Sequence, residues 1–188
     1  MKLVILDRDG VINQDSANFI KSTSEWIPLP GSLEAIALLN QSGFKVAVAT
    51  NQSGVSRGLF DMATLNSIND KMHRELALLG GRIEAVFYCP HCAEDHCDCR
   101  KPKSGMIEEI GKRFSVELDG LPAVGDALRD LQAYAKAGCQ PILVRTGKGE
   151  TTLAAAMSSA DHALPANTWI CADLNEAVQR IVAVEVQD

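Results

Sequence analysis

Length, composition and charge place the chain in a broad class. Its 188 residues suffice for one well-buried α/β domain, and 46% of them are hydrophobic and 22% charged, as in ordinary globular proteins. We therefore expect a single domain over residues 1–188, a cytoplasmic monomer without signal peptide, membrane span or membrane partner. The net charge of −6 argues against a nucleic-acid surface, so a phosphorylated ligand would need local cations or a metal ion.

Short apolar runs alternate with helical patterns along the chain, which predicts a Rossmann-like parallel sheet with helices on both faces. The predicted strands are 3–6, 45–49, 85–88, 121–124 and 142–144, and the predicted helices 33–41, 61–79, 104–114, 128–137 and 175–184. The rest of the chain after residue 144 is expected to add peripheral helical packing. Because parallel strands end at the same edge of a sheet, polar residues at their carboxyl ends should meet there.

The first predicted strand runs directly into Asp7-Arg8-Asp9-Gly10. Two carboxylates two residues apart at a strand end can supply a nucleophile or metal ligand and a proton-transfer group, while Arg8 points elsewhere. Alone, this pattern would equally suit a strand that ends in a solvated acidic turn. Its interpretation therefore depends on the residues at the carboxyl ends of the other strands.

Polar residues also stand after the second and fourth predicted strands. Thr50 comes after the second, and Asp126 after the fourth, with Asp130 one helical turn further on and on the same face. Asp126 on its own would suit a helix N-cap. Together with Asp7, however, these carboxylates can build an octahedral, all-oxygen Mg²⁺ site.

These motifs resemble those of the haloacid dehalogenase superfamily of phosphatases. The matching positions are Asp7–Val11, Thr50, Lys101, Gly125–Asp126 and Asp130. The resemblance implies a haloacid dehalogenase-like fold in which Asp7 is the nucleophile that forms an aspartyl-phosphate and Asp9 is the general acid, then base. It also implies that Thr50 and Lys101 neutralise the phosphoryl oxygens.

The same resemblance implies a catalytic Mg²⁺ bound by Asp7, Asp9 through its carbonyl, and Asp126, with Asp130 behind them. Phosphoryl transfer needs in-line positioning and positive charge around the developing negative charge, which these groups would supply.

A second diagnostic feature is a loop rich in cysteine and histidine at residues 89–99, which holds four of the six cysteines. In a reducing compartment, zinc thiolates are favoured over disulfides. The loop offers six candidate ligands, Cys89, His91, Cys92, His96, Cys97 and Cys99. A zinc site with four protein ligands would fold the loop, at about 89–105, and leave catalysis to other groups.

The order Cys-x-His and then Cys-x-Cys resembles the zinc loop of a narrower family, the D-glycero-D-manno-heptose 1,7-bisphosphate phosphatases, and implies a minimal cap. The ligand set implied by this resemblance is Cys89, His91, Cys97 and Cys99. The competing set has four thiolates, with Cys92 in place of His91.

Two adjacent cations, Arg100 and Lys101, come directly after the last of these ligands. A metal-pinned loop would hold both where a phosphate arrives, whereas a solvated basic patch would explain neither their adjacency nor the following proline. The resemblance implies that Arg100 recognises the substrate. It also implies further substrate contacts at Asn51, Gln52, Ser53, Asp15 and Asn18. Ala127 departs from the pattern, because some heptose enzymes have a lysine there.

The resemblance covers about residues 1–150 and implies a small phosphorylated sugar as substrate. The implied reaction removes the C7 phosphate from D-glycero-D-manno-heptose 1,7-bisphosphate, in the nucleotide-heptose pathway to the lipopolysaccharide core. Histidinol-phosphate phosphatases share the zinc loop and the Asp-Arg-Asp-Gly start, so histidinol phosphate is the alternative substrate. A receiver-like phospho-acceptor module is a different class, but a switch gains nothing from a general acid such as Asp9. The acidic balance disfavours a zinc-dependent nucleic-acid module.

Overall fold

The structure, a computed structural model, describes residues 1–185. Its strands are β1 (Lys2–Leu6), β2 (Phe44–Asn51), β3 (Ala85–Cys89), β4 (Pro122–Gly125), β5 (Gln140–Val144) and β6 (Trp169–Cys171). Its α-helices are α1 (Ser32–Gln41), α2 (Met62–Leu78), α3 (Gly105–Phe114), α4 (Leu128–Lys136), α5 (Gly149–Ser158) and α6 (Leu174–Glu185). Two short 3₁₀ turns cover Ala93–Asp95 and Ala160–His162.

The six strands form one parallel sheet in the order β3-β2-β1-β4-β5-β6. β1 pairs with β2 on one side and with β4 on the other, so the chain reverses its direction of travel across the sheet at β1. Loops leaving β1 and β4 therefore diverge and open a crevice at the carboxyl edge, which is where ligands bind in open α/β sheets.

The sheet is covered on both faces, because the strands are apolar at consecutive positions. In β1, Val4 and Leu6 pack against α1, α2 and α6, while Leu3 and Ile5 pack against α3 and α4. All four side chains are buried. This two-sided burial confirms the predicted fold class and holds the ends of β1, β2 and β4 rigidly in place.

Two loops stand at the carboxyl edge in place of a larger cap. The segment 13–31 forms most of the connection between β1 and α1, and the loop 89–105 connects β3 to α3. In the flap, residues 13–31, Asn13 forms one isolated bridge with Pro28 and another with Asp9, which follows β1. This arrangement is the expected minimal cap.

The chain after β5 differs from the sequence-based expectation. We expected peripheral helical packing after residue 144, but β6 adds a sixth strand that pairs with β5. β6 has only three residues, which is too short to display a strand periodicity. α5 was missed as a separate helix because a single residue of it is buried, so it shows no apolar stripe. None of the helices in residues 1–185 is long and apolar enough to cross a bilayer.

Candidate active site

A cavity of about 340 Å³ lies at the carboxyl edge, beside the reversal point of the sheet. It is lined by Asp7, Asp9, Asp15, Ser16, Ala17, Phe19, Ile20, Thr50, Asn51, Gln52, Ser53, Arg57, Arg100, Arg129 and Lys148. These residues come from the end of β2, the first turn of α4, the loops after β1, β2, β3 and β5, and the flap. The cavity thus gathers residues that are far apart in the sequence, as the parallel sheet predicts.

Three carboxylates form a buried cluster beside this cavity. One oxygen each of Asp7, Asp126 and Asp130 lies within 4.8 Å of the others, and all three residues are at most 5% exposed. Burial raises the pKa of Asp7 to about 6, although the nearby Lys101 opposes the shift. Burial and the charges of Asp130 and Asp7 likewise raise the pKa of Asp126 to about 8. The cluster therefore holds more negative charge than its surroundings balance.

A hard divalent cation fits this donor set. Mg²⁺ prefers carboxylate and carbonyl oxygens and keeps several waters, which the adjacent cavity can admit. Asp7 and Asp126 both offer oxygens, whereas Asp130 is engaged elsewhere: its two oxygens meet Lys101 at 2.8 Å and the Ala127 N–H at 3.0 Å. Asp7 and Asp126 are therefore the carboxylates with oxygens available to a cation, and the role of Asp130 behind them stays a prediction.

Two glycines allow Asp126 to reach the cluster. A Cβ at Gly10 would lie 2.0 Å from Asp126 Oδ2, and one at Gly147 would lie 2.2 Å from the same atom. Gly10 also has a φ of 86°, a conformation that other residues rarely adopt. Asp126 Oδ2 accepts a hydrogen bond of 2.7 Å from the Lys148 N–H, so the loop after β5 helps to hold this carboxylate.

Lys101 is the buried cation of the site. Its Nζ lies 3.1 Å from Asp7 and 2.8 Å from Asp130, and it donates a 2.7 Å hydrogen bond to the Ala49 carbonyl. Its side chain is 1% exposed, and the Tyr134 ring lies 5.9 Å from Nζ. Burial alone would lower the pKa of Lys101, but the two carboxylates raise it, so the ammonium stays charged. The sequence-predicted cation is therefore next to the predicted nucleophile.

Asp9 accepts four hydrogen bonds from three side chains. The Arg8 guanidinium donates two hydrogen bonds of 3.1 Å to its two oxygens, and Asn13 and Gln52 donate one each at 2.8 Å. Burial opposes ionisation of Asp9, but Arg8 and the amide donors lower its pKa, so it is a carboxylate at neutral pH. Arg8 itself is fully buried and also contacts Asn69 in α2. We expected Arg8 to point away from the site. Its side chain does not line the cavity, but it donates hydrogen bonds to Asp9.

The end of β2 supplies a group of buried polar residues. Thr50, Gln52 and Ser53 line the cavity, and the Gln52 amide also donates to Thr50 Oγ1 at 2.9 Å. Asn51 is different, because its amide is paired with the backbone of Lys101. Its Nδ2 donates to the Lys101 carbonyl at 3.1 Å, and its Oδ1 accepts from the Lys101 N–H at 3.2 Å. Asn51 thus positions Lys101, besides contributing to the cavity wall.

The flap reaches the cavity through part of its length. Asp15 lines the cavity and forms an ion pair of 2.8 Å with Lys148 across the opening. Asn18 is exposed and lies outside the cavity wall, although its neighbours Ala17 and Phe19 belong to it. The structure therefore brings Asp15 to the site and leaves Asn18 outside it.

Four ligand atoms converge in the loop 89–105, namely those of Cys89, His91, Cys97 and Cys99, all within 4.8 Å of one another. The three sulfur–sulfur distances are 3.2, 3.6 and 3.6 Å. His91 Nδ1 lies 3.6 and 3.4 Å from two of the sulfurs. A disulfide would need about 2.0 Å. A tetrahedral zinc with bonds of about 2.3 Å to sulfur has edges of about 3.8 Å, which this donor set approaches.

The other two candidate ligands of the loop lie outside this cluster. The Cys92 thiol donates to Asp95 at 3.2 Å, and His96 is an exposed residue in a left-handed conformation. Among the clustered thiols, Cys97 is the readiest to ionise. Although burial opposes it, the Arg100 N–H and the neighbouring thiols lower the pKa of Cys97 to about 7. The geometry therefore favours the set that contains His91 over the set of four thiolates.

The zinc-type cluster also positions Arg100. This residue lines the cavity, and its Nη1 donates to the His91 carbonyl at 3.0 Å. Arg100 and Lys101 come directly after Cys99, so a loop held in one conformation also fixes the backbone positions of both cations.

Sequence reasoning missed three cations that line the cavity, Arg57, Arg129 and Lys148. Lys148 could have been found, because it comes after the predicted fifth strand and so belongs to the same sheet edge. Arg57 and Arg129 lie further from strand ends, and no pattern in the sequence separates them from surface arginines.

Comparison with known proteins agrees with this geometry. The HAD-hydrolase-like family model matches residues 98–177. The D-glycero-beta-D-manno-heptose-1,7-bisphosphate 7-phosphatase of Bordetella bronchiseptica is 57% identical over 182 residues, covering 97% of this chain and 98% of that protein. The protein of the same name from Neisseria meningitidis serogroup A is 50% identical over 97% of this chain and 95% of its own length. The chain is a member of the heptose bisphosphate phosphatase family.

Solved structures of this family have the same fold. The B. bronchiseptica D,D-heptose 1,7-bisphosphate phosphatase, crystallised with magnesium and phosphate, superposes with a TM-score of 0.94 at 56% identity, over 98% of this chain and 99% of that one. The Burkholderia thailandensis enzyme gives a TM-score of 0.77 at 46% identity, over 97% and 99% of the two chains. A relative that was crystallised with magnesium and phosphate therefore shares this fold over nearly the whole chain.

Proposed function

We propose that the chain is a Mg²⁺-dependent phosphatase that removes the C7 phosphate from D-glycero-D-manno-heptose 1,7-bisphosphate through an aspartyl-phosphate on Asp7. The observation that carries this proposal is the position of Asp7. It is a buried carboxylate at the end of β1, beside Lys101 at 3.1 Å and in one cluster with Asp126, at the wall of a cavity large enough for a small sugar phosphate. The names of the relatives support the choice of sugar.

In the first step an Asp7 oxygen attacks the phosphorus of the C7 phosphate, and the bond from phosphorus to the sugar oxygen breaks. Asp9 gives a proton to that leaving oxygen. In the second step Asp9 takes a proton from a water molecule, which attacks the same phosphorus and releases inorganic phosphate with Asp7 regenerated. Mg²⁺, when bound by Asp7, the Asp9 carbonyl and Asp126, supplies positive charge that stabilises the transferring phosphoryl group.

Asp9 must gain a proton before it can act as an acid, because Arg8, Asn13 and Gln52 keep it ionised in the resting site. A phosphate dianion bound beside Asp9 would raise the pKa of this carboxyl group, because a nearby like charge disfavours ionisation, and would thereby favour its protonation. Gln52 bonds to both Asp9 and Thr50, so it couples the acid to the residue proposed to hold the phosphoryl oxygens.

Several parts of the chain would support this reaction. Thr50 and Lys101 would neutralise the phosphoryl oxygens, and Arg100 with Ser53 and Asp15 would hold the sugar. Zn²⁺ bound by Cys89, His91, Cys97 and Cys99 would keep the loop 89–105 folded and take no part in the chemistry. The proposal includes a single domain over 1–188 that acts as a monomer. It also includes a cytoplasmic location, because a reducing compartment keeps the six free cysteines as thiols.

A comparison of two substrates tests the proposed function. Phosphate release from heptose 1,7-bisphosphate should exceed release from histidinol phosphate by about a hundredfold or more in kcat/KM, because the polar cavity is built around one set of hydroxyls and charges. Equal or better turnover of histidinol phosphate would assign the chain to that reaction instead.

A further inference from the structure

Arg129 is a cation of the cavity wall that is attracted by the carboxylate cluster without a hydrogen bond to it. It lies in the first turn of α4 and is half-buried, and its Nε is buried without a hydrogen-bond acceptor. It makes no hydrogen bond or ion pair with any residue in 1–185. Of the other cations at the site, Lys101 is paired with two carboxylates, Lys148 with Asp15, and Arg100 with the His91 carbonyl, whereas Arg57 is an exposed side chain.

The charges of Asp130, Asp7 and Asp126 attract Arg129, but the described residues give its Nε no hydrogen bond. A cation in the first turn of a helix faces the positive end of the helix dipole, which disfavours it. A buried donor without an acceptor also loses its hydrogen bonds to water and regains none. A charged side chain that is retained although its position is energetically unfavourable is a candidate ligand-binding residue.

The surroundings hold Arg129 charged and close to the reacting centre. Burial would lower its pKa, but the carboxylates of Asp130, Asp7, Asp126 and Asp15 raise it. A guanidinium has five donors in a planar fork that matches a phosphate group, and those of Arg129 have no acceptor among residues 1–185. Its location in the cavity wall makes them available to a ligand.

We propose that Arg129 binds the phosphate of the substrate that is not cleaved, and thereby selects a bisphosphate over a monophosphate. This inference rests on the proposed function, which places the C7 phosphate at Asp7 and leaves the second phosphate of the sugar within the same cavity. That phosphate would supply the acceptors that the protein does not. Arg129 is thus a specificity-determining residue, separate from the groups that act on the C7 phosphate.

Kinetics of Arg129→Gln with two sugars test the inference. With heptose 1,7-bisphosphate, KM should rise by about tenfold or more, the value of a charge-assisted hydrogen-bonded contact, while kcat stays within about threefold. With heptose 7-phosphate, which lacks the second phosphate, KM should not change. Arg129→Lys should fall between the wild type and Arg129→Gln, because it keeps the charge and loses the fork. Arg113→Gln, which removes an exposed arginine of α3, is the matched control and should leave both sugars unaffected.

The possible results separate the two proposals. Equal changes with both sugars would show that Arg129 only balances the carboxylate cluster, and no change with either would show that it has no role; both overturn the inference. If Arg129→Gln does not fold, Arg129→Lys provides the test. Its KM should then rise for heptose 1,7-bisphosphate and stay unchanged for heptose 7-phosphate. A wild type that hydrolyses both sugars equally well overturns this inference alone. A wild type that hydrolyses neither sugar overturns the proposed function.

Discussion

Removing the Lys101 cation is the most informative perturbation of the site. Lys101 Nζ lies between Asp7 and Asp130, at 3.1 and 2.8 Å, and all three side chains are buried. Lys101→Met would leave both carboxylates without their cation. Removal of one partner from a buried ion pair costs about 3–5 kcal/mol of unfolding free energy, because the remaining charge is uncompensated. We expect a loss of this size at pH 8, measured by urea denaturation.

The loss should be smaller at lower pH. The pKa of Asp7 is already raised to about 6, and it will rise further without Lys101. A carboxyl whose folded pKa lies above its unfolded pKa binds more protons in the folded state, so its penalty on stability fades as the pH falls. The difference in unfolding free energy between wild type and Lys101→Met should therefore be smaller at pH 5.5 than at pH 8.

Activity should fall for a separate reason. Loss of one preorganised group that stabilises transition-state charge lowers kcat by about 10²–10³-fold. The double variant Lys101→Met/Asp130→Asn removes both members of the closer pair, and the Asn oxygen can still accept from the Ala127 N–H. It should recover part of the stability but none of the activity. Lys112→Met, at an exposed lysine with a surface partner 4.0 Å away, is the control and should change neither property.

A double variant that recovers turnover along with stability would refute this reasoning, since Lys101 would then serve the fold alone. Near wild-type kcat in folded Lys101→Met would refute it as well.

Three further predictions concern the nucleophile, the metal and the loop. Asp7→Asn and Asp9→Asn should each lower kcat by about two or more orders of magnitude with the fold intact by circular dichroism; normal turnover by either would contradict its role. EDTA should abolish activity and Mg²⁺ restore it. The rise in Tm on adding Mg²⁺ should be larger at pH 8 than at pH 5.5, because protons compete for Asp7 and Asp126, whose pKa values are raised to about 6 and 8; a rise that is independent of pH would contradict this site. Elemental analysis should find about one zinc per chain, lost in Cys97→Ser and kept in Cys92→Ser; zinc lost from the Cys92 variant would favour four thiolates.

The parts of the site that the sequence predicts are those that depend on topology. Asp7, Thr50 and Asp126 each stand at or directly after the end of a buried parallel strand, and a parallel sheet must bring such positions to one edge. Residues 3–6 of β1 are all apolar, so the end of the strand is visible as the first charged residue after them. Cys89, His91, Cys97 and Cys99 are also close together in the sequence, so a single loop can bring them together without help from the rest of the fold.

Other features depend on side-chain directions that no local pattern encodes. The hydrogen bonds between the Asn51 side chain and the Lys101 backbone join positions 50 residues apart, and Arg8 donates to Asn69, 61 residues away. Arg129 looks like any helical arginine until its unpartnered Nε is seen at the cavity wall. The strand β6 has three residues, which is too short for a recognisable pattern, and it is identified only by its pairing with β5.

Chemical trapping of the intermediate tests the central claim most directly. The chain is mixed with heptose 1,7-bisphosphate and Mg²⁺, quenched in acid and treated with borohydride, which reduces an aspartyl-phosphate to homoserine. After trypsin digestion, the peptide covering residues 3–8 contains Asp7 as its only carboxylate side chain. We predict homoserine at position 7, absent without substrate and absent in Asp7→Asn. Active enzyme in which homoserine appears at Asp9 or Asp126, and never at position 7, would contradict the proposed mechanism.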